Sequence, residues 1–250
     1  MQSDLKELAA ARTPQALPDV RVPAGHRVLV LGPHPDDFDA IGVTLRYLHD
    51  RGNPLEAAVI RTGSGIEPRY RPNASREELT ALRDEEQRNS LRFFGLPPEN
   101  ATFVTLENDD TDQPLDNNAN RAALHELIMA KRPDIVCLPY GNDSNSGHRN
   151  IFAMFVHVAD NTGRPLVAMF NRDPKTIEIR TDLYMPFGQQ QAEWKAQLLR
   201  HHDSQHQRNL NTRGHGFDTR ILETNRRIAR ELELDAPYAE AFQVAVRSGA

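Results

Sequence analysis

Short apolar runs alternate along this chain with longer segments in which apolar residues recur at helical spacing. The runs are typical of buried strands and lie at residues 27–31, 55–60, 102–106, 134–139, 165–170 and 176–180. The segments between them predict one helix ending at Asp50, one beginning near Ile151, and others over 75–94, 120–131, 192–210 and 218–232. Strands that alternate with helices favour an α/β fold, with a mostly parallel sheet covered by helices on both faces.

The chain of 250 residues is long enough for one large α/β domain. Residues 1–24 contain prolines and little periodicity, and we interpret them as an N-terminal arm preceding a single domain over 25–250. The stretch 201–217 is rich in His, Arg and Asn and is interpreted as a mobile surface segment. Residues 203–217 and the polar loops 63–73 and 107–118 are expected to surround a binding pocket.

Composition narrows the class of protein. The formal charge of −5 is mild over this length, so neither a nucleic-acid partner nor an anionic membrane is expected. No apolar run approaches the roughly 20 residues of a membrane span, and the N-terminus lacks the apolar centre of a signal peptide. The single cysteine, Cys137, lies in a strand-like run and is expected to be a small buried apolar residue. A soluble cytoplasmic protein is predicted.

Side chains that bind metals or carry protons directly follow the first apolar run. This run ends at Gly32-Pro33, and the next residues are His34-Pro35-Asp36-Asp37. Such a break places these side chains at the carboxyl end of a strand, where open α/β folds bind their ligands. A strand that only fills a core has no need of this cluster, so the tetrad is the leading candidate for a functional site.

A second imidazole, that of His148, lies in the polar loop that follows the 134–139 run. Because parallel strands bring such loops to one edge of a sheet, we predict that His34, Asp37 and His148 bind one metal ion. Three protein ligands leave a fourth position for water, as in catalytic zinc sites, and this ligand set accepts Zn²⁺ or Fe²⁺. Asp36 is then the carboxylate free to take the proton of that water.

Two other interpretations of the tetrad compete with a metal site. An aspartate can cap the following helix, but capping leaves His34 and the second aspartate unexplained. A nucleotide-binding strand should lead into Gly-x-Gly-x-x-Gly, whereas Pro33 and Pro35 remove amide donors here. The pattern therefore disfavours a Rossmann dehydrogenase or methyltransferase.

The tetrad and His148 resemble the signature of the PIG-L/LmbE-like zinc-dependent N-deacetylases, and the similarity extends over most of the chain. Further matching segments are Arg83-Asp84-Glu85-Glu86, Phe93-Phe94-Gly95-Leu96, Lys195 with His202-Asp203-Ser204-Gln205, and Tyr238-Ala239-Glu240-Ala241-Phe242. The resemblance implies a Rossmann-like fold and removal of acyl groups from amino sugars. It also implies that His34, Asp37 and His148 are zinc ligands and that Asp36 is the general base.

The resemblance further implies two residues that contact the substrate. Arg83 is similar to a residue that binds a polar or phosphate head, although it fits equally an exposed helix position paired with Glu86 or Gln87. In the acidic loop, Asp110 is the candidate for contact with sugar hydroxyls. His202 and Gln205 of the Lys…His-x-Ser-Gln segment are interpreted as packing and loop-anchoring residues.

One loop departs from the family pattern. The family usually has His-Pro-Asp-His where this chain has Asn145-Ser146-Gly147-His148. Asn145 can donate a hydrogen bond to an oxyanion but cannot deliver a proton, and Gly147 lacks a carboxylate that orients an imidazole. Asp143 is a candidate substitute for either group. We therefore expect Asp36 to take the proton of water and pass it to the leaving amine.

Two hypotheses follow. In the first, the chain is a metal-dependent hydrolase, a zinc-dependent deacetylase of the N-acetylglucosaminyl type, and its partner is a small N-acylated amino sugar or a related metabolite. In the second, it is a catalytically weak or repurposed metal- or sugar-binding member of the same fold. The substitutions at Asn145 and Gly147 motivate this alternative.

Overall fold

The computed structural model describes residues 5–247 and contains eight strands and nine α-helices in that range. The strands are β1 (Gln15–Ala16), β2 (Val28–Gly32), β3 (Leu55–Ile60), β4 (Ala101–Val104), β5 (Ile135–Pro139), β6 (Leu166–Asn171), β7 (Leu183–Phe187) and β8 (Tyr238–Arg247). The helices are α1 (Lys6–Ala10), α2 (Asp37–Ala40), α3 (Gly42–Asp50), α4 (Arg76–Phe94), α5 (Asn118–Lys131), α6 (Ser146–Ala159), α7 (Gln189–Arg200), α8 (Asp203–Arg213) and α9 (Phe217–Glu231).

All eight strands form one sheet in the order β1-β7-β8-β6-β5-β2-β3-β4. The strands from β2 to β6 are parallel to their neighbours within that group. By contrast, β8 runs antiparallel to both β6 and β7. The prediction of a mostly parallel α/β sheet is confirmed. β2 pairs with β3 on one side and with β5 on the other. The chain therefore builds the sheet in one direction from β2 and later in the opposite direction, so a topological switch point lies between β2 and β5.

Helices cover both faces of the sheet, as predicted. Along β2, Val28 and Val30 belong to one apolar core, and Leu29 and Leu31 belong to the other. This division follows from the alternation of side chains along a strand. Residues of α3, α4 and α7 complete the first core, and residues of α5 and α6 complete the second. A strand buried on both faces explains why the apolar run of β2 is unbroken.

The antiparallel part of the sheet differs from the prediction. Residues 176–180 have the alternation of a strand, but only Thr176 makes a bridge, to Asp143. The strand at this point is β7, and the ten-residue β8 is not predicted as a strand at all. Each of these strands pairs with the other over a long sequence separation. Pairing between such distant segments cannot be predicted from a local pattern of apolar residues.

The N-terminal segment, interpreted from the sequence as an arm, contributes to the folded core. Leu8 and Leu17 are fully buried in the first apolar core, and β1 extends the sheet by pairing with β7. Its elements are short, so their contribution is not visible as periodicity. The assignment of 25–250 to a single domain stays a prediction.

The segment 201–217 forms α8 and the turn before α9, and not the loop expected from its composition. The helix predicted over 192–210 is divided between α7 and α8 at His201 and His202, although no glycine or proline occurs there. The His202 side chain is fully buried and bonds Asp39. A tertiary contact therefore sets this break.

Cys137 is fully buried in β5, as predicted, and burial raises the pKa of its thiol to about 12. No helix in the range 5–247 combines the length and the apolar character that crossing a membrane requires.

Candidate metal centre and adjoining cavity

The predicted ligands meet at the switch point of the sheet. Gly32 ends β2, which places His34 just beyond its carboxyl end, and Asp37 begins α2. On the other side of the switch point, Asn145 is the N-cap of α6, and its side-chain oxygen accepts the backbone N–H of His148 at 3.2 Å. Open α/β sheets bind ligands in the crevice at this point.

The three side chains lie at the spacing of metal ligands. Asp37 Oδ2 is 3.4 Å from His34 Nδ1, and Asp37 Oδ1 is 3.3 Å from His148 Nε2. In a tetrahedral zinc site with ligands at about 2.1 Å, neighbouring ligand atoms are about 3.4 Å apart. All three residues are buried, with exposures of 5%, 5% and 1% for His34, Asp37 and His148. The structure thus brings together the three residues that the sequence predicts as a ligand set.

The hydrogen bonds of the two imidazoles leave a nitrogen of each directed at Asp37. His148 Nδ1 donates to Asp143 Oδ2 at 3.2 Å, and His148 Nε2 has no hydrogen-bond partner although it is buried. His34 Nε2 donates to Gln113 Oε1 at 2.9 Å, so its Nδ1 carries the lone pair that faces the carboxylate. Two lone pairs opposite a carboxylate need a positive charge between them. A divalent metal ion fits this donor set.

The electrostatics of the site favour that positive charge. Burial lowers the pKa of His34, which keeps this imidazole neutral and able to act as a ligand. Burial also acts to lower the pKa of His148, but the Asp37 and Asp143 carboxylates outweigh it and raise that pKa to about 10. Without a metal ion, a proton supplies the charge. Metal binding therefore releases a proton from this pair.

Asp36 has a strained backbone conformation, and hydrogen bonds hold both its backbone and its carboxylate. Its φ of 127° lies in a region that L-residues rarely adopt, and its backbone N–H donates to Gln87 Oε1 at 2.9 Å. Arg83 Nη2 donates to Asp36 Oδ2 at 2.9 Å. Strain of this kind concentrates at functional sites. Unlike the ligands, Asp36 is partly exposed, and it lines a cavity of about 270 Å³ beside them.

Arg83, the predicted substrate-binding residue, is enclosed by the loop around Asp36 and the loop after β3. It is 2% exposed, does not line the cavity, and also donates to the backbone carbonyls of Pro35 and Ser64. The contacts with Pro35 and Asp36 hold the loop around Asp36, and the contact with Ser64 holds the loop that follows β3. The alternative of an exposed helix residue is wrong, because the burial of Arg83 is nearly complete. Its contact with a substrate stays a prediction.

Asp110, in the acidic loop, and Asn145 differ in their exposure to solvent. Asp110 is exposed and does not line the cavity. Asp112 is the loop residue that points inward, where it accepts the Gly63 N–H at 2.6 Å and so holds the neighbouring loop. Asn145 is half-buried, with its oxygen engaged in capping α6. Its Nδ2 makes no hydrogen bond within residues 5–247 and remains available as a donor.

Three residues at the site were not predicted. Asp173 follows β6 and lies 4.0 Å from His148 Nδ1; a carboxylate directly after an apolar run was the signal that could have revealed it. Gln113 contacts His34, and Gln87 holds Asp36, but no sequence pattern marks either glutamine. Both contacts span large sequence separations, of 79 and 51 residues.

The other segments that carry the resemblance hold the elements around the site together. In α8, Ser204 donates its N–H and hydroxyl to Glu86 of α4 at 2.6 and 2.7 Å. His202 bonds Asp39 of α2, as its interpretation as a packing residue anticipated. In the C-terminal strand, Glu240 accepts a hydrogen bond from Lys195 Nζ at 2.7 Å.

Comparison with known proteins gives one family match. A family model described as PIG-L, GlcNAc-PI de-N-acetylase, matches residues 29–159, just over half of the chain. That range includes the three ligands and Asp36, but ends before β6 and the C-terminal helices. No curated protein matches the chain.

Three solved structures have a similar fold. The N,N'-diacetylchitobiose deacetylase from Pyrococcus horikoshii, complexed with an inhibitor, has a TM-score of 0.69 at 17% identity, with 88% of this chain and 83% of that chain covered. The 4-carboxy-2-hydroxymuconate hydratase from Pseudomonas putida KT2440 has a TM-score of 0.64 at 16% identity, with coverages of 88% and 96%. The zinc-inhibited form of the teicoplanin deacetylase Orf2 has a TM-score of 0.63 at 14% identity, with coverages of 90% and 100%. The presence of a hydratase indicates that this fold supports more than one reaction.

Proposed function

The chain belongs to the PIG-L family, and from that premise we propose that it is a metal-dependent hydrolase that removes an N-acyl group from an amino sugar or a related small metabolite. An acetyl group is the first acyl group to test. The deacetylases with the same fold, one of them acting on N,N'-diacetylchitobiose, support an amide of a sugar as the substrate.

The observation that carries the proposal is the arrangement of His34, Asp37 and His148. Two imidazole lone pairs and one carboxylate converge at ligand spacing, and a cavity adjoins them. When bound there, Zn²⁺ or Fe²⁺ supplies Lewis acidity at an acyl carbonyl and lowers the pKa of water toward neutrality. The chain itself must then supply a proton acceptor, a proton donor and an oxyanion contact.

Asp36 is the proposed proton acceptor. Its carboxylate lines the cavity, and Arg83 holds one of its oxygens, so the other is free to accept the proton of an attacking water. The water oxygen forms the new bond to the acyl carbon. The C–N bond then breaks, and the same carboxyl returns its proton to the amine, so that the products are a carboxylic acid and an amino sugar.

Asn145 is the proposed oxyanion contact. The oxygen of its amide is fixed by capping α6, and its Nδ2 group makes no hydrogen bond among the described residues. That group can donate to the carbonyl oxygen as charge develops on it, and donors of this kind contribute about 10²–10³ in rate. It cannot deliver a proton, which leaves proton return to Asp36.

The proposal predicts that Asp36→Asn lowers the rate of acetate release from N-acetylglucosaminyl compounds by about 10²–10⁴-fold. Asparagine keeps the size of the side chain but can accept no proton from water. The measurement is acetate release by metal-loaded protein, with metal content determined for each sample. Metal content is expected to stay native, because Asp36 is not part of the ligand set.

Asp235→Asn is the matched control, because Asp235 is exposed and makes no side-chain hydrogen bond or ion pair in the described chain. It is expected to keep native activity. Native turnover in Asp36→Asn would remove Asp36 from the mechanism. Removal of the metal by a chelator should abolish turnover of the native protein, and re-addition of Zn²⁺ or Fe²⁺ should restore it.

The second candidate function, a repurposed metal- or sugar-binding protein, is favoured by Asn145 and Gly147, which replace the family's usual His and Asp. The hydratase with a similar fold indicates only that this fold is not confined to deacetylation. Tight binding of N-acyl sugars by the metal-loaded protein, without release of acid from any of them, would favour it over hydrolysis.

A further inference from the structure

Hydrogen bonds hold Asp36 at its backbone carbonyl, its carboxylate and its backbone N–H. The carbonyl accepts the N–H groups of Asp39 and Ala40 at 3.1 and 3.2 Å. The carboxylate accepts from Arg83 at 2.9 Å, and the N–H donates to Gln87 Oε1 at 2.9 Å. The contact with Gln87 is unusual, because a side chain 51 residues away satisfies the main chain of the loop.

The backbone of Asp36 does not adopt its conformation without support. A φ of 127° is unfavourable for an L-residue, and contacts with the surrounding structure must offset that strain. Without them, φ would return to the negative range that L-residues favour. The side chain would then turn about the N–Cα bond, and the carboxylate would leave its place in the cavity beside Asp37.

Helix α4 supplies two of the contacts that hold Asp36. Arg83 and Gln87 are four residues apart, so they lie on the same face of this helix. Both are buried, with exposures of 2% and 0%. One of them holds the carboxylate of Asp36 and the other holds its backbone, so the two contacts together fix both ends of the residue.

Asp39 decides which end of the Gln87 amide faces Asp36. Gln87 Nε2 donates to Asp39 Oδ2 at 3.3 Å, which leaves Oε1 for the N–H of Asp36. The reversed amide would place one N–H group against another and an oxygen against a carboxylate. The Asp39 carboxylate also bonds His202. Gln87 is therefore fixed as an acceptor by residues that do not line the cavity.

Packing alone does not require a glutamine at position 87. An apolar side chain of similar length would fill this fully buried position, and burial of an amide is unfavourable unless its polar atoms are bonded. Ser90, about one turn further along α4, is equally buried and also bonds Asp39, but it makes no hydrogen bond with Asp36. The contact with the Asp36 backbone is what distinguishes Gln87.

We propose that Gln87 is a positioning residue for Asp36: its amide oxygen holds the strained backbone and so keeps the carboxylate turned toward the cavity. The inference rests on the proposed function for the proton transfer. A general base must lie within hydrogen-bond reach of the proton that it takes, and a displacement of about 1 Å can lower a rate about 10²-fold. Gln87 does not line the cavity, so it acts on the reaction only through Asp36.

Gln87→Met tests the proposal, because methionine fills a similar volume without an acceptor for the N–H. With metal-loaded protein and an N-acetylglucosaminyl substrate, kcat is expected to fall about 10–100-fold. KM should stay within about twofold of native, since the lost contact does not bind substrate. Metal content should stay native, because the contact does not involve the predicted ligands. Gln87→Leu, with a shorter side chain, should give the same pattern and guards against misfolding caused by the longer one.

Hydrogen exchange measures the contact without any substrate. Pro33 and Pro35 have no N–H, so the segment 33–36 carries only the backbone amides of His34 and Asp36. In the metal-loaded methionine variant, the Asp36 amide is expected to exchange about tenfold or more faster than in native protein. The His34 amide bonds a different residue and should keep its rate. NMR of the ¹⁵N-labelled protein resolves the two amides.

Ser90→Ala is the matched control. It removes a buried hydrogen bond to the Asp39 carboxylate from the same helix, but leaves the contact between Gln87 and Asp36 in place. Its stability in urea should fall, as that of Gln87→Met does. By contrast, kcat and the exchange rate of the Asp36 amide should stay close to native.

Native kcat in Gln87→Met, or equal losses of kcat in Gln87→Met and Ser90→Ala, overturns the inference. Unchanged exchange of the Asp36 amide in Gln87→Met also overturns it. The outcome for the proposed function is separate. Faster exchange in Gln87→Met, without hydrolysis of any N-acetyl sugar by the native protein, would retain the positioning contact and refute the reaction.

Discussion

Gln113 reaches His34 through the space that Gly147 leaves open. A Cβ atom at position 147 would lie 2.4 Å from Gln113 Oε1 and 2.9 Å from His34 Nε2. Glycine here is therefore a condition for the hydrogen bond between the glutamine and the imidazole. That bond places the proton on Nε2 and leaves Nδ1 for the metal. The glycine at 147 thus allows Gln113 to contact the imidazole of a predicted ligand, His34.

Gln113→Leu is expected to weaken metal binding about tenfold to hundredfold, because residues that orient a ligand imidazole contribute about that much. Gly147→Ala should act in the same direction, since its methyl group displaces the glutamine. The measurement is the metal dissociation constant by competition with a chelator. Gln190→Leu, at an exposed position without a side-chain hydrogen bond among the described residues, is the control. Native metal affinity in both site variants would show that the contact does not orient His34.

Helix α4 packs on the site through a polar face. Its buried residues include Gln87 and Ser90, which donate to the two oxygens of Asp39. The same carboxylate bonds His202 at the break between α7 and α8. Burial alone would lower the pKa of His202, but Asp39 outweighs it and raises that pKa above its ordinary value of 6.5. One buried carboxylate therefore links three helices.

His202→Gln should reduce the free energy of unfolding by about 3–5 kcal/mol at acidic pH, as expected when one partner of a buried pair is removed. A histidine with a raised pKa stabilises the fold fully below its unfolded pKa, and that stability is lost as pH rises through the folded pKa. The difference from native protein should therefore be largest below about pH 6.5 and should diminish above neutrality.

Urea unfolding at several pH values measures this difference. His157→Gln, at an exposed position of α6, is the control and should show little difference at any pH. A destabilisation by His202→Gln that grows with rising pH would contradict the charged pair.

One buried ion pair joins the C-terminal strand β8 to α7. Glu240 in β8 accepts hydrogen bonds from Lys195 of α7 and from the backbone N–H groups of Val43 and Thr44 at the start of α3. Lys195 and Glu240 are 0% and 1% exposed. Burial lowers the pKa of Lys195, and the Glu240 carboxylate opposes that shift. The charge of each residue is tolerated in the interior only because of the other.

Glu240→Gln is expected to destabilise the protein by about 3–5 kcal/mol, because it leaves the Lys195 charge buried and unpaired. Adding Lys195→Met should recover part of the loss, since the glutamine oxygen can still accept a backbone N–H and no charge remains. The free energy of unfolding in urea is the measurement. Glu85→Gln breaks an exposed pair with Arg92 and should change stability little. Equal destabilisation by both glutamine variants would contradict a special contribution of the buried pair.

Most of the parallel half of the sheet could be predicted, and the antiparallel half could not. The runs that became β2, β5 and β6 are continuous and apolar because both faces of these strands are buried, and the run that became β3 is interrupted only by Glu56. β7 contains a proline. Residues 176–180 alternate more regularly between polar and apolar side chains than β7 does, but they form only one bridge. Arg83 shows the same limit among side chains: a charged residue in a polar helix predicts exposure, whereas this one is enclosed by three acceptors.

The sequence by itself determined the parallel centre and identified His34, Asp37 and His148 as candidate ligands, because strand ends and the polar residues that follow them are local features. Topology rules then place those ends at one edge. Only the tertiary structure decided what surrounds the predicted ligands: the contact of Gln113, the enclosure of Arg83, and the meeting of α8, α9 and the segment after β6 at one cavity. These contacts join segments far apart in the chain, and no local pattern encodes such a distance.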